Sequence, residues 1–166
     1  MRKSVSWLSL LLCLLLSVPV VSKSSDNSLA DQIISLERQA LNRWIHGDPQ
    51  GYLDLYSPEI TYFDPFREKR VDGLQAMQAM LEPLKNAKSP IRDPGFEMID
   101  PKIQQRGEIV LLTFNLVNYG KPPTRDTESI LSRWNSTEVY SHVSGRWRII
   151  HSHWSFTKPE PARPQQ

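Results

Sequence analysis

Arg133-Trp134-Asn135-Ser136-Thr137-Glu138-Val139-Tyr140, a Ser144-Gly145 turn, and then Arg146-Trp147-Arg148-Ile149-Ile150-His151-Ser152-His153-Trp154-Ser155 form the stretch that decides the fold. Apolar and polar residues alternate on both sides of a glycine turn, which is the pattern of two antiparallel strands with one face buried. The same alternation runs backwards through two earlier segments. Four strands are therefore expected, at about Phe96 to Gln104, Ile109 to Tyr119, Ser129 to His142 and Arg146 to Thr157. Gly107 and Gly120-Lys121-Pro122-Pro123 supply the other connections. The last three strands are long, and long strands twist, so the sheet is predicted to be antiparallel and strongly curved.

Upstream of the sheet the period changes. Leu29, Ile33, Leu36, Ala40, Leu41 and Trp44 recur three or four apart, with Asp31, Glu37, Arg38 and Arg43 between them, which predicts an amphipathic helix capped by Ser28. Gly47-Asp48-Pro49 ends it and starts a short helix that offers Tyr52, Leu53, Leu55 and Tyr56 for burial before Ser57-Pro58. Ile60-Thr61-Tyr62-Phe63 reads as a short strand closing at Asp64-Pro65, and a third helix is expected from about Gly73 to Asn86. Helices first and sheet afterwards predict an α+β domain, a cone with about three N-terminal helices on the concave face of the sheet.

The 166 residues suit one domain, and 39% hydrophobic with 23% charged residues excludes disordered, collagen-like and multi-span membrane classes. Arg2 and Lys3 account for the whole formal charge of +2, so the remainder is neutral and does not suggest a nucleic-acid or acidic-lipid binder. Cys13 is the sole cysteine, which excludes an intramolecular disulfide and a cysteine-ligated zinc. Arg2-Lys3 followed by an apolar run from Val5 to about Val21 has the layout of a secretory signal, with cleavage expected after Ser22 and a secreted or periplasmic product. Intact-mass measurement on protein from its native compartment should find a chain starting near Lys23; a full-length species held in the membrane would contradict this. Positions 159–166 are rich in proline and polar residues and read as a disordered tail, leaving a domain over 28–158.

This order of elements resembles the nuclear transport factor 2-like superfamily, also called SnoaL-like or cystatin-like. Two segments carry the resemblance: Ile60-Thr61-Tyr62-Phe63-Asp64-Pro65 and the hairpin from Arg133 to Ser155, in which a Gly-Arg-Trp turn precedes a His-x-His strand. The hairpin is similar to that of the association domain of calcium/calmodulin-dependent protein kinase II, and ketosteroid isomerase is a more distant likeness. The resemblance implies a conical cavity between sheet and helices. It does not imply a reaction, because the fold hosts isomerases, dehydratases, hydrolases, cyclases and non-enzymes alike.

Within that frame, Asp64 is the leading candidate for a general base. Its position resembles that of the isomerase base, and Tyr62, Phe63 and Phe66 around it would desolvate a carboxylate. The competing reading is that Asp64-Pro65 builds the turn, its carboxylate accepting backbone N–H bonds. The isomerase's oxyanion-hole tyrosine aligns with Ala40 and its protonated acid with Thr137, neither of which can do that work, although Glu138 can if the register shifts by one. His151 and His153 share one strand face, with Trp147 and Ile149 expected beside them, and are candidate proton carriers if that face meets the cavity.

On the preceding strand Trp134, Ser136, Glu138 and Tyr140 share one face and Asn135, Thr137 and Val139 the other. Either an aromatic or an Asn/Thr wall is thus available, and the alternation does not choose between them. Trp44, Tyr62, Trp134, Asn135, Thr137, Tyr140 and Trp154 are the candidate ligand-binding residues. No third ligand has a fixed relation to the His pair, so no metal is expected, and no cofactor is required. Two functions remain open: a small apolar or partly oxygenated ligand bound and transformed by acid–base chemistry, or a non-catalytic ligand-binding or association domain. A homodimer through the outer face of the sheet fits both, because helices cover only one side of it.

Overall fold

Helix α1 spans Ser24–Ile45 and begins earlier than expected, because no glycine or proline interrupts the polar residues before Leu29. Ser28 therefore lies inside the helix rather than capping it. The computed structural model describes residues 24–85 and 87–157; the expected signal segment 1–22 and the tail 159–166 lie outside them. The C-terminus of α1 closes at Gly47, with φ of 79°, where Asp48 N–H donates to Arg43 O at 3.0 Å and Gly47 N–H to Trp44 O at 2.9 Å. Such a left-handed residue favours glycine, and the side chain of Asp48 reinforces the stop by accepting from Arg43 Nε at 2.7 Å and Gln50 N at 3.0 Å.

A single turn, α2 at Gln50–Leu53, leads into strand β1 at Tyr56–Phe63. The strand starts before Ser57-Pro58, which sequence reading took as a stop. Its pairing shifts between Tyr56 and Thr61, and that irregularity accommodates Pro58, which has no N–H to give a ladder. β2 is only Val71–Asp72, pairing with Tyr62 and Thr61, and is too short to show a period in the sequence. Helix α3 runs Leu74–Leu81 and then tightens into a 3₁₀ turn at Glu82–Leu84, where Pro83 withholds the donor that would continue it. The expected end at Asn86 lies outside the described residues.

The long strands follow as β3 (Arg92–Arg106), β4 (Ile109–Lys121), β5 (Ser129–Val143) and β6 (Arg146–Phe156). The sheet order is β2-β1-β6-β5-β4-β3, antiparallel except that β1 runs parallel to β6. The six-stranded sheet is curved and unclosed. β3 forms one edge, and its ladder to β4 is displaced twice, at Asp93-Pro94 and at Asp100-Pro101. Helices α1 and α3 pack on the same side, against β3 and β1 respectively. Ile33 and Leu41 from α1, Met77 from α3, Ile60 from β1, Leu112 from β4 and Ile149 from β6 meet in the core between them. Removal of this apolar surface from water is the main stabilising term of the domain.

Candidate functional site

The core does not fill the cone. A cavity of about 370 Å³ remains toward the C-terminal end of β1 and the start of β5. Trp134 and Trp154 form one wall, packed edge to face with ring centroids 6.2 Å apart, and Tyr52 stacks on Tyr56 at 5.7 Å to form another. Trp44 and Phe66 stand at the mouth, and Phe66 packs edge-on against Trp134. Four of the expected ligand-binding residues, Trp44, Tyr62, Trp134 and Trp154, line this cavity.

Asp64 lines it too. Its side chain is 11% exposed. Oδ1 accepts the Phe66 N–H at 2.7 Å, so the carboxylate builds the turn, while Oδ2 lies 3.9 Å from Arg67 Nε. The turn-building reading of Asp64 is thus seen in the structure, and the same carboxylate lines the cavity. Tyr62 stands beside it, and burial together with the neighbouring Asp64 carboxylate pushes its phenol well above the usual range. The Tyr62 hydroxyl is therefore a donor at any working pH.

Tyr140 and Glu138 point to the same side of the sheet but lie beneath the cavity floor. Glu138 is fully buried; Ser136 Oγ and Ser152 Oγ donate to its Oε1 at 3.0 and 2.9 Å, while Oε2 has no partner among the described residues. Burial, and then the nearby Glu37 carboxylate, push the Glu138 carboxyl well above its usual range. Glu37 was missed as a site residue. It occupies the apolar stripe of α1 between Ile33 and Ala40, and that position is the signal that it is buried. Tyr52 Oη donates to Glu37 at 2.7 Å and Tyr140 Oη donates to its other oxygen. Burial raises Glu37 to about 7 against the pull of those two hydrogen bonds.

His151 and His153 do not reach the cavity. Tyr140 pairs with Ile149 and Val139 with His151, so Ile150 is an extra residue bulged out of the ladder. The bulge reverses the phase of β6: Ile149 stays in the core, Ser152 and Trp154 turn inward, and the histidines turn to the outer face. The expected grouping of the histidines with Trp147 and Ile149 is corrected accordingly, and proton transfer to a ligand in the cone by either ring is not available. On the outer face Thr61 Oγ1 lies 2.8 Å from His151 Nδ1, and Phe63 packs on both rings. Asn135 and Thr137 also face outward: Asn135 is held by Asn115 Nδ2 at 2.7 Å, and Thr137 pairs with His153 across the ladder. The aromatic set of β5, not the Asn/Thr set, is the inner one. Among the described residues no group of three metal-ligating side chains converges.

The SnoaL-like domain profile matches residues 33–159. No curated protein matches the chain. A candidate ketosteroid isomerase from Parabacteroides distasonis is 32% identical, over 83% of this chain and 95% of that one, with a TM-score of 0.66. The association domain of calcium/calmodulin-dependent protein kinase II from Caenorhabditis elegans is 17% identical over 80% of this chain and 99% of its own, with a TM-score of 0.67. A candidate dehydratase of the nuclear transport factor 2-like family from Streptomyces avermitilis is 13% identical, covering 80% and 99%, at 0.64. The last two are alike in fold alone. A profile match over most of the described residues, on a curved, unclosed six-stranded sheet with its helices N-terminal, establishes that the chain belongs to the SnoaL-like family of the nuclear transport factor 2-like fold.

Proposed function

We propose that this is an exported small-molecule-binding domain that performs acid–base chemistry, of the isomerase or dehydratase type, on an apolar carbonyl compound held in the cone. The observation that carries this reading is one sheltered carboxylate, Asp64, at the rim of a cavity whose walls are aromatic and aliphatic apart from Arg67 and Asn118. Asp64 Oδ1 is engaged by the turn, so Oδ2 is the oxygen left to accept a proton. In the step envisaged, Oδ2 takes a proton from the carbon next to the carbonyl, and the C–H pair moves toward the carbonyl oxygen. The Tyr62 hydroxyl or the Arg67 guanidinium meets the charge that develops there. In a compound with a β,γ double bond, return of the proton to the γ-carbon moves that double bond into conjugation with the carbonyl, whereas delivery of the proton to a β-hydroxyl expels water and leaves an α,β double bond. No cofactor enters either course. The 32% identical relative, itself a candidate ketosteroid isomerase, supports the reaction class.

The test needs no knowledge of the natural substrate. In deuterated buffer, 2-tetralone exchanges its α-protons at a rate that NMR follows directly. The protein should accelerate that exchange well beyond an equal concentration of acetate, and a rate no faster than acetate would remove the reading.

A second copy of the chain is proposed to cover the outer face of the sheet. Leu111 of β4, Val139 of β5 and the Phe63–His151–His153 cluster lie there, and among the described residues no helix covers them. The likeness to association domains fits such pairing, and the same surface would serve a non-catalytic oligomer. Light scattering at micromolar concentration should give the mass of two chains; the mass of one would exclude the dimer.

A further inference from the structure

Most polar side chains around the cavity are already engaged. Tyr52 Oη donates to Glu37 at 2.7 Å, Trp154 Nε1 to Ser152 Oγ at 3.0 Å and Trp134 Nε1 to Ser132 Oγ at 2.8 Å, so these three present ring carbon to the cavity. Arg67 is different. It lines the cavity mouth with a side chain 46% exposed, and its Nε lies 3.9 Å from Asp64 Oδ2, beyond hydrogen-bond distance. Among the described residues its fork of donors is therefore free, whereas Arg70 of the same loop is held by Asp72 at 2.5 Å. The turn after β1 places Arg67 where it is. Its N–H donates to Asp64 O at 3.5 Å, Pro65 fixes the second position of the turn, and Asp64 Oδ1 accepts the Phe66 N–H at 2.7 Å. Phe66 in its turn packs on Trp134 and Phe156, with ring centroids 6.0 and 5.4 Å away. One base and one cation thus stand side by side at the rim of a largely apolar chamber.

We propose that Arg67 is a specificity-determining residue that receives a carboxylate, and that the ligand of the cone is an aryl keto acid with its ring inside and its acid group at the mouth. The proposal rests on the cavity reading above and adds a substrate class to it. A guanidinium takes a carboxylate through two parallel N–H bonds, which strengthen where water is partly excluded. The spacing limits the ligand further. Because Arg67 Nε and Asp64 Oδ2 are only 3.9 Å apart, the carbon that gives its proton to Oδ2 has to lie within about two or three bonds of the carboxylate carbon. Arylpyruvates meet this requirement: carbon 1 is the acid, carbon 2 the ketone, and carbon 3 carries both the ring and the acidic hydrogens. Asp64 Oδ2 takes a proton from carbon 3, the C–H pair becomes the double bond between carbons 2 and 3, and the carbonyl pair moves onto oxygen. The Tyr62 hydroxyl donates a hydrogen bond to that oxygen, solvent supplies its proton and removes the one on Asp64, and the product is the enol. A neutral amide in place of the acid leaves Arg67 without an anion.

The experiment compares hydrocinnamate with 3-phenylpropionamide, which has the same ring and chain and lacks the charge, by titration calorimetry at neutral pH. At low salt the wild-type protein should bind the acid about tenfold more tightly, and high salt should shrink that preference. Arg67→Gln should abolish the preference, while Arg67→Lys, which keeps the charge without the fork, should retain part of it. The wild-type comparison at two salt concentrations stands without any variant. Phenylpyruvate in deuterated buffer then reads turnover: the protein should speed loss of its carbon-3 protons beyond an equal concentration of acetate, and Arg67→Gln should raise its half-saturating concentration about tenfold, more than that of 2-tetralone. Equal wild-type affinity for acid and amide, failure of both to bind, or a preference that survives in Arg67→Gln would overturn the role of Arg67 and leave the cavity reading to its own test with 2-tetralone. Preference for the acid with no exchange of either ketone would overturn the substrate class together with the acid–base reading.

Discussion

Asp64→Asn should slow 2-tetralone exchange by about 10²–10⁴-fold while leaving the half-saturating concentration of 2-tetralone within a few fold. The substitution keeps the shape of the side chain and the oxygen that accepts the Phe66 N–H at 2.7 Å, so the turn after β1 survives. It removes only the oxygen that can take a proton. Loss of the carboxylate also frees Arg67, which at 3.9 Å is a loose partner and half exposed, so little stability depends on that pair. Melting temperature and exchange rate measured on one sample separate the outcomes. A slow exchange with a nearly unchanged melting curve assigns proton transfer to Asp64. Unchanged exchange with a lowered melting point would confine Asp64 to building the turn, and the domain would then be a binding module.

The second large effect is on stability against pH. Glu37 carries a carboxyl raised from 4.5 to about 7, chiefly because burial disfavours its charged form. In the unfolded chain it ionises near 4.5, so between that value and about 7 the folded state holds a proton that the unfolded state has lost. Folding stability must therefore fall as pH rises through this window, at about 1.4 kcal/mol per pH unit for one group, or about 3 kcal/mol in all. Glu138 acts in the same direction, since it too is buried and raised. His151 opposes them, because burial lowers it and it loses stability as pH falls. Glu37→Gln isolates the effect: the amide keeps an acceptor for Tyr52 or Tyr140 but cannot ionise. The melting temperature of the wild-type protein should drop from pH 5 to pH 8 more steeply than that of Glu37→Gln. Parallel curves for the two proteins would show that Glu37 titrates normally in the fold.

How much of this was legible beforehand depends on the periodicity involved. The β4–β6 meander was readable because each strand alternates over many residues, and the position of Asp64 at the cavity was readable because its Asp-Pro pair closes an aromatic strand. The face that His151 and His153 occupy was not, since one bulged residue at Ile150 reverses every position after it, and alternation cannot reveal an insertion in the ladder. Glu37 and Asn118 each carried a signal that was overlooked. Both are polar residues in the exact phase of a buried stripe, Glu37 with Ile33 and Leu41, Asn118 with Leu112 and Leu116. Residues of that kind stay buried only with partners, and their partners come from elsewhere in the chain: Tyr52 and Tyr140 for one, Ser132 for the other. Those long-range pairings are set by the fold and have no local trace.

Strand β3 bears on how the protein avoids misassembly. An edge strand of 15 residues would ordinarily present a row of free N–H and C=O groups on which another chain could lay down a strand. Pro94 and Pro101 each delete a donor from that row, and Asp93 and Asp100 before them adopt φ of 48° and 47°, bending the strand where its ladder to β4 is displaced. The edge is broken into short runs, 95–100 and 102–106, and Arg92, Lys102 and Arg106 add charge along it. Open-ended strand addition at this edge is thereby disfavoured.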